Sequence, residues 1–283
     1  MTIELRHLRA FLAIAAEGTL TRAAAVLHLT QPALSRTLAQ LERHLGARLI
    51  DRSTHHLELT EAGHAFQAKA FRALAAVDEA LDPARLGRWP LRVGHSWAAL
   101  GARTTALLRG WRAAYPDIPL ELLRIDDRGA GLAQGRVDVA ILRTSLTGDG
   151  VVTVPLTTES PLAALPSDSP LAGHGSLRLA DLTAYPIALN PVSGNTTLDL
   201  WPRAAAPAST VVVANTDDWL AAIAAGHAVG VTTTATAESY PTPSVAYVPL
   251  TDAPPVTVLL AWHDPPGHPS VPAFVALARA VVA

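Results

Sequence analysis

Cysteine is absent from the 283-residue chain, which excludes disulfides and thiol catalysis and fits a reducing compartment. Lysine occurs once, as Lys69, so there is no Walker-type lysine motif, and neither a GxSxG elbow nor a GxGxxG opening is present. Long apolar runs are missing as well. No stretch approaches an uninterrupted membrane span, and the start Met-Thr-Ile-Glu lacks a basic-then-apolar signal pattern, so a cytoplasmic location is expected. Charge is scarce in either sign: the chain is formally −2, and residues 1–60 carry seven Arg against five Asp or Glu. A nucleic-acid contact would therefore rest on a few placed arginines doubled by dimerisation, with moderate salt dependence. What remains is 49% hydrophobic, enough for two or three domains with buried cores.

The run TQPALSRTLAQLERHLG, residues 30–46, has Leu34, Leu38, Leu41 and Leu45 on one stripe at helical period. Pro32, Arg36, Ala39 and Arg43 fall on the opposite face, with Ala33 and Ser35 on its flanks. Thr30 or Gln31 can cap the helix, Pro32 suits its first turn, and Gly46 stops it. Leu5, Leu8, Phe11, Leu12 and Ala15 make one preceding amphipathic helix. A second runs from an N-cap near Thr21 through Ala23, Ala24 and Leu27. Two helices joined by a tight turn, with alanines at the crossing, describe a helix-turn-helix, although an ordinary three-helix packing unit has the same stripes. Residues 47–60 then read as two short extended runs around Ser53 to His56, as a winged helix-turn-helix appends.

Residues 5–63 resemble the N-terminal domain of LysR-type transcriptional regulators nearly without a gap. The likeness rests on Phe11, Ala23-Ala24, Leu27, Gln31-Pro32-Ala33-Leu34-Ser35, Leu41-Glu42, Leu45-Gly46, Leu49, Arg52 and Thr60-Glu61-Ala62-Gly63. It implies that Gln31, Pro32, Ser35 and Arg36 contact DNA from the recognition helix and Arg52 from the wing. Thr30, Ala33 and Gln40 are counted with them. The implied partners are double-stranded operator DNA with an interrupted palindrome, a small-molecule effector, further copies of the chain as dimer or tetramer, and RNA polymerase.

Beyond the wing, Phe66, Ala70, Leu74, Val77 and Leu81 form a heptad-like seam on a helix from Thr60 to Asp82. Two readings stand: a dimerisation helix, or a helix lying on its own globule. After a hinge at 83–90 the pattern changes to strands alternating with helices, LRVG, PLELLRI, RVDVAIL, SPLAALP, YPIALN, STVVVAN, AVGVTT, VAYVPL and PPVTVLLAWH, which predicts parallel βαβ units. A helix is expected from Trp97 to Tyr115, a short one before RVDVAIL, and an amphipathic one at the C-terminus. This region is similar to the effector-binding domain of the same family, two α/β lobes that resemble periplasmic binding proteins. The expected fold class is thus α/β with an N-terminal all-α winged helix-turn-helix. Its parts are 1–60, a linker helix 61–82, the hinge, and an effector domain 91–283, with lobe one at about 91–157 and 251–283 and lobe two at about 158–250.

Ligands of open α/β sheets collect at the carboxyl ends of parallel strands. The effector candidates there are Ser96, Trp97, Arg128, Arg143, Asn190, Asn215, Thr232 and Thr233, with Asp127, Thr144, Ser193, Thr216 and Thr234 beside them. Each is also an ordinary capping or loop residue type. The two arginines suggest a small carboxylate as ligand. No catalytic or metal-binding residue and no cofactor are expected: His55-His56 and HDPPGH at 263–268 lack ligand spacing on a regular element. The reading is a ligand-responsive DNA-binding regulator and not an enzyme. The alternatives are a constitutive DNA-binding repressor whose C-terminal region only oligomerises, and an α/β binding protein or enzyme with a helical head.

Overall fold

The computed structural model describes residues 2–51, 57–81, 89–146, 148, 150–194, 196–202 and 206–283. They divide into two units, Met1–Arg88 with Ala133–Arg136, and Trp89–Leu132 with Val137–Ala283.

In the first unit the apolar stripes close one core. Helices α1 (Leu5–Glu17), α2 (Leu20–Val26) and α3 (Gln31–Leu45) contribute Phe11, Ile14, Ala23, Ala24, Leu34 and Leu38, all buried. The alanines sit at the α2 crossing, where larger side chains would hold the helices apart. Thr19, and not Thr21, caps α2, its hydroxyl accepting from the Arg22 amide; Thr21 lies inside the helix. Gly46 ends α3 in the left-handed region at φ 66°. Leu45 is 41% exposed because the stripe runs past the core at the helix end.

A two-stranded antiparallel ribbon follows, β1 (Ile50–Asp51) with β2 (Glu58–Leu59). The Glu42 carboxylate fastens it to α3 by accepting from the amides of Leu49 and Ile50 at 2.9 and 3.2 Å. Helix α4 (Glu61–Ala80) starts under Thr60, whose hydroxyl accepts from Gly63 N at 3.0 Å and donates to Arg48 O at 2.7 Å. Any side chain at Gly63 would strike the Leu49 carbonyl, 2.1 Å from an added Cβ, which explains glycine at that place in the motif. Phe66, Ala70, Phe71 and Leu74 pack on the head's own core, Phe66 edge-on to Phe11 at 5.2 Å. The first half of the seam therefore lies on its own globule. Leu81, at its far end, is 71% exposed.

The second unit holds two sheets. One has the order β4-β3-β5-β12-β6, from β3 (Leu91–His95), β4 (Leu120–Arg124), β5 (Val139–Leu142), β6 (Val151–Glu159) and β12 (Val256–His263). Strand β3 is parallel to β4 and β5, whereas β12 runs antiparallel to β5 and β6. Helices α5 (Thr104–Ala114) and α8 (Val271–Val282) cover one face, with Leu107, Trp111, Phe274 and Ala278 packed against Leu91, Val93 and Val139. Asp138 ties β5 to β3 by accepting from the backbone amide and guanidinium of Arg92 at 2.9 to 3.2 Å.

The other sheet has β7 (Pro161–Pro166) between β10 (Gly230–Thr233) and β11 (Val245–Pro249), all antiparallel. A parallel pair, β8 (Ile187–Leu189) with β9 (Thr210–Val212), adjoins it through an Ile187–Val229 bridge. Helices α6 (Thr216–Ala224) and α7 (Thr234–Ser239) complete it. Gly230 is demanded by packing: the Trp219 indole lies 2.1 Å from where its Cβ would be. The chain passes between the sheets twice, at β6 to β7 and at β11 to β12.

The uniformly parallel expectation is corrected by β12, antiparallel to β5 and β6, and by the antiparallel β10-β7-β11 sheet, and three further expectations change with it. The nine-residue strand β6 has no counterpart in the sequence reading, because VVTVPLTTE mixes threonines and a proline into its apolar positions. The short helix expected before RVDVAIL is a set of turns, held by the Asp127 carboxylate accepting from Gly129 N and Gly131 N. The helix expected from Trp97 begins at Thr104, because Ala98 and Ala99 adopt left-handed φ of 52° and 36°. The HDPPGH loop is not wholly solvated either. His268 is buried, its Nδ1 accepting from Ser270 N and its Nε2 meeting Trp89 O at 3.1 Å. Among the described residues no helix is long and apolar enough to cross a membrane, and no group of three metal-ligating side chains occurs.

Candidate functional site

The start of α3 is polar, exposed and uncommitted. Thr30, Gln31, Pro32 and Arg36 are exposed, and Ala33 and Ser35 are half-buried beside them. Thr30 occupies the N-cap position, yet its side chain makes no capping bond, so the first amides of α3 are left without a side-chain cap. Such an end attracts anions, phosphate included. Arg43 and Arg48, farther along, rim a groove with Ala39, Gly46 and Ala47; Arg48 was not singled out from sequence because its place depends on the ribbon.

Gln40 is half-buried, and its Oε1 faces Nε2 of the buried His7 on α1 at 3.3 Å, while His7 Nδ1 accepts from Glu4 N at 3.1 Å. Gln40 Oε1 is thus turned toward α1, so that Nε2 is the part of its amide left for the DNA-facing role expected of it. Arg52 and the His55-His56 pair lie outside the described residues.

The second candidate site lies between the two sheets of the larger unit. Trp97, Asn190, Thr216, Trp219, Thr232 and Thr236 line a compartment of about 40 Å³. Thr196, Val231 and Thr232 separate it from a neighbouring space of about 420 Å³, bounded also by Arg143, Thr144, Ser145 and Thr257. Together they match the size of small-molecule sites.

Polar groups here are mostly committed. Asn190 Oδ1 accepts from the amides of Val192 and Ser193, and its Nδ2 donates to Ser193 Oγ at 2.8 Å. Asn215 caps α6, accepting from Asp218 N at 2.8 Å, and does not line the pocket. Both act as turn and cap residues. The Thr232 hydroxyl donates to Thr236 Oγ1 at 2.6 Å, and Thr196 donates to the Val231 carbonyl at 2.8 Å. Thr216 is different: it is 7% exposed, lines the small compartment, and its hydroxyl has no hydrogen-bond partner among the described residues. Ser96 is buried without lining either compartment.

Arg143 is the centre of the arrangement, though not as a free charge. Its Nε and Nη2 donate to both oxygens of Glu159 at 2.9 and 2.6 Å, and its Nη1 and Nη2 donate to the carbonyls of Trp97 and Ala99 at 3.2 and 3.0 Å. The guanidinium also lies 4.0 Å from the Trp97 ring centroid. It fixes the left-handed loop that carries Trp97. Thr233 is wholly buried and donates to Glu159 at 2.5 Å, so it supports the ion pair and does not face a ligand. Arg128 is exposed and borders neither compartment. The expectation that Arg143 or Arg128 stands ready for a carboxylate is corrected accordingly. Glu159 was missed because it ends the unrecognised strand β6; its signal was a lone acid closing an apolar and threonine-rich run.

At the end of β3, His95 Nδ1 is buried without a hydrogen-bond partner. Burial first, then the charges of Arg143 and Arg124, lower its pKa from 6.5 to about 4. The folded imidazole is neutral where the unfolded one protonates, so stability is full above pH 6.5 and falls as pH drops from 6.5 to 4. Unfolding at stepped pH should show a loss on the order of 2–3 kcal/mol across that window, and His95→Gln should flatten it. An unchanged slope in the variant would place the titration elsewhere.

Comparisons with known proteins match the chain to one family. The family model "Bacterial regulatory helix-turn-helix protein, lysR family" matches residues 5–64, and "LysR substrate binding domain" matches residues 84–283. The HTH-type transcriptional regulator YnfL of Escherichia coli K12 is 36% identical over 193 residues, which are 66% of this chain and 65% of that protein. BudR of Raoultella terrigena, also an HTH-type transcriptional regulator, is 34% identical over 67% of this chain and 68% of its own. Among solved structures, the LysR family regulator CbnR is 25% identical with a TM-score of 0.63, covering 99% of this chain and 100% of that one. Full-length CbnR has also been solved with its target DNA, at 26% identity, a TM-score of 0.56 and the same coverage.

Proposed function

The chain belongs to the LysR family of bacterial transcriptional regulators, and from that premise we propose that it binds an operator through the start of α3 and senses a small molecule between its two sheets. The observation that carries the first half is the division of α3. Leu34, Leu38 and Leu41 are consumed by the core, while Gln31, Pro32 and Arg36 stay exposed in the first turn and a half. Side chains so placed enter a major groove and meet base edges or phosphates. Residues 1–60 thus read DNA, 61–82 link, and 91–283 sense, in the cytoplasm, with regulation rather than catalysis as the outcome. RNA polymerase is the natural further partner of such a regulator.

The test is fluorescence anisotropy with DNA from upstream of the chain's own gene and of its neighbours. Saturable binding to one fragment, with unrelated DNA of equal length as competitor, supports the reading. Binding that competitor abolishes would leave only general affinity for phosphate. A sensed ligand must shift operator affinity, and operator must shift ligand affinity by the same factor.

A twofold operator calls for two heads, and we assign the pairing to the far end of α4. Leu74 already packs on the head's core, so a charge there would damage folding and report nothing about assembly. Leu81, 71% exposed, is the informative position. Leu81→Glu should move the mass seen by light scattering toward the monomer, because a carboxylate in an apolar seam is costly. Unchanged mass would shift the interface to another surface.

A further inference from the structure

We propose that the cleft selects an uncharged ligand, a small molecule with a hydroxyl, carbonyl or carboxamide, and discriminates against the corresponding carboxylate. This rests on the reading of the cleft as the sensing site and names its ligand class.

Among the described residues that line the two compartments, Arg143 is the one charged side chain. Its side chain is 3% exposed and that of Glu159 is 8% exposed, so the pair is a closed, neutral unit. Four of the guanidinium's donor contacts are occupied by the two Glu159 oxygens and the Trp97 and Ala99 carbonyls. A carboxylate entering beside this pair would meet one cation and one anion, and its own charge would lose hydration with no net compensation.

The groups that are open suit a neutral guest. Thr216, a residue more than nine-tenths buried, offers a hydroxyl that has no hydrogen-bond partner among the described residues. Thr236 accepts from Thr232, which leaves its own hydrogen to donate, and Thr196 donates to Val231 O, which leaves its oxygen to accept. The indoles of Trp97 and Trp219 supply flat apolar walls. Trp97 is held by Arg143 itself, so the ion pair serves as a scaffold for the wall and not as a hook for the ligand.

The experiment is calorimetric titration of the full chain with two isosteric pairs, phenylacetamide against phenylacetate and propanamide against propanoate. The amide of at least one pair should bind at least about tenfold tighter than its acid. Thr216→Val should weaken that binding by about tenfold, the loss of one hydrogen bond to a buried group. Glu159→Gln keeps an amide oxygen for the guanidinium but leaves the pair with a net positive charge. It should raise carboxylate affinity by about tenfold or more while moving the amide by less than about threefold. Tighter binding of the acids by wild type, still weakened by Thr216→Val, would overturn the ligand class and leave the cleft as the site. Binding by neither member of either pair up to millimolar concentration, or binding indifferent to Thr216→Val, would overturn the cleft reading and the class with it.

Discussion

Glu159→Ala is expected to cost the larger unit about 3–5 kcal/mol, because it leaves the Arg143 guanidinium buried without its counter-charge. The partners are 2.6 Å apart and almost wholly enclosed, and a domain's entire stability is only about 5–15 kcal/mol. All six tryptophans lie at or beyond Trp89, so intrinsic fluorescence in a urea titration follows this unit alone. Replacing both partners by apolar residues of similar size, Arg143→Met with Glu159→Leu, should be less damaging than Glu159→Ala, since both desolvation penalties vanish with the charges. A double variant no better than the single one would mean that the bonds to the Trp97 and Ala99 carbonyls, rather than the charge balance, hold the loop.

For Arg36→Ala the expected result is the reverse: folding and mass unchanged, operator binding largely lost. The side chain is exposed and supports no core, so its removal should alter stability by less than about 0.5 kcal/mol. A lost bidentate base contact costs about 1–3 kcal/mol per head, and a symmetric dimer loses it twice. That corresponds to a drop of about 30-fold to 10⁴-fold in specific affinity. Anisotropy at fixed salt, with unfolding curves for both proteins, separates the two effects. Wild-type affinity in the variant would remove Arg36 from the interface. A loss equal on operator and random DNA would make it a phosphate contact instead.

The helical head was legible because its signals are local. Apolar spacing at 3.6 residues, Gly46 as a stop and Pro32 in the first turn each act within a few residues, so Leu34, Leu38 and Leu41 could be assigned to the core and Arg36 to the surface from the string alone. Gln40 shows where this ends. Its helical face was computable, but its partner His7 lies 33 residues away on another helix.

The larger unit divides in the same way. Apolar runs such as VAIL announce buried strands, and Asn190 and Asn215 have the composition of turn and cap residues, which is how they behave. Strand direction was not legible, since the pairing of β12 with β6 joins residues about a hundred positions apart and periodicity carries no sign of parallel or antiparallel. Nor was the state of Arg143. An arginine after a strand is a free cation or half of a neutral pair according to what the fold brings near it, and Glu159 arrives only through the return of β6. The sequence by itself determined which residues enter a core and which helix start faces outward, because hydrophobic period and capping are short-range. The tertiary structure decided which charges are spent and which hydroxyls remain open, because hydrogen bonding and desolvation depend on neighbours that only the folded chain assembles.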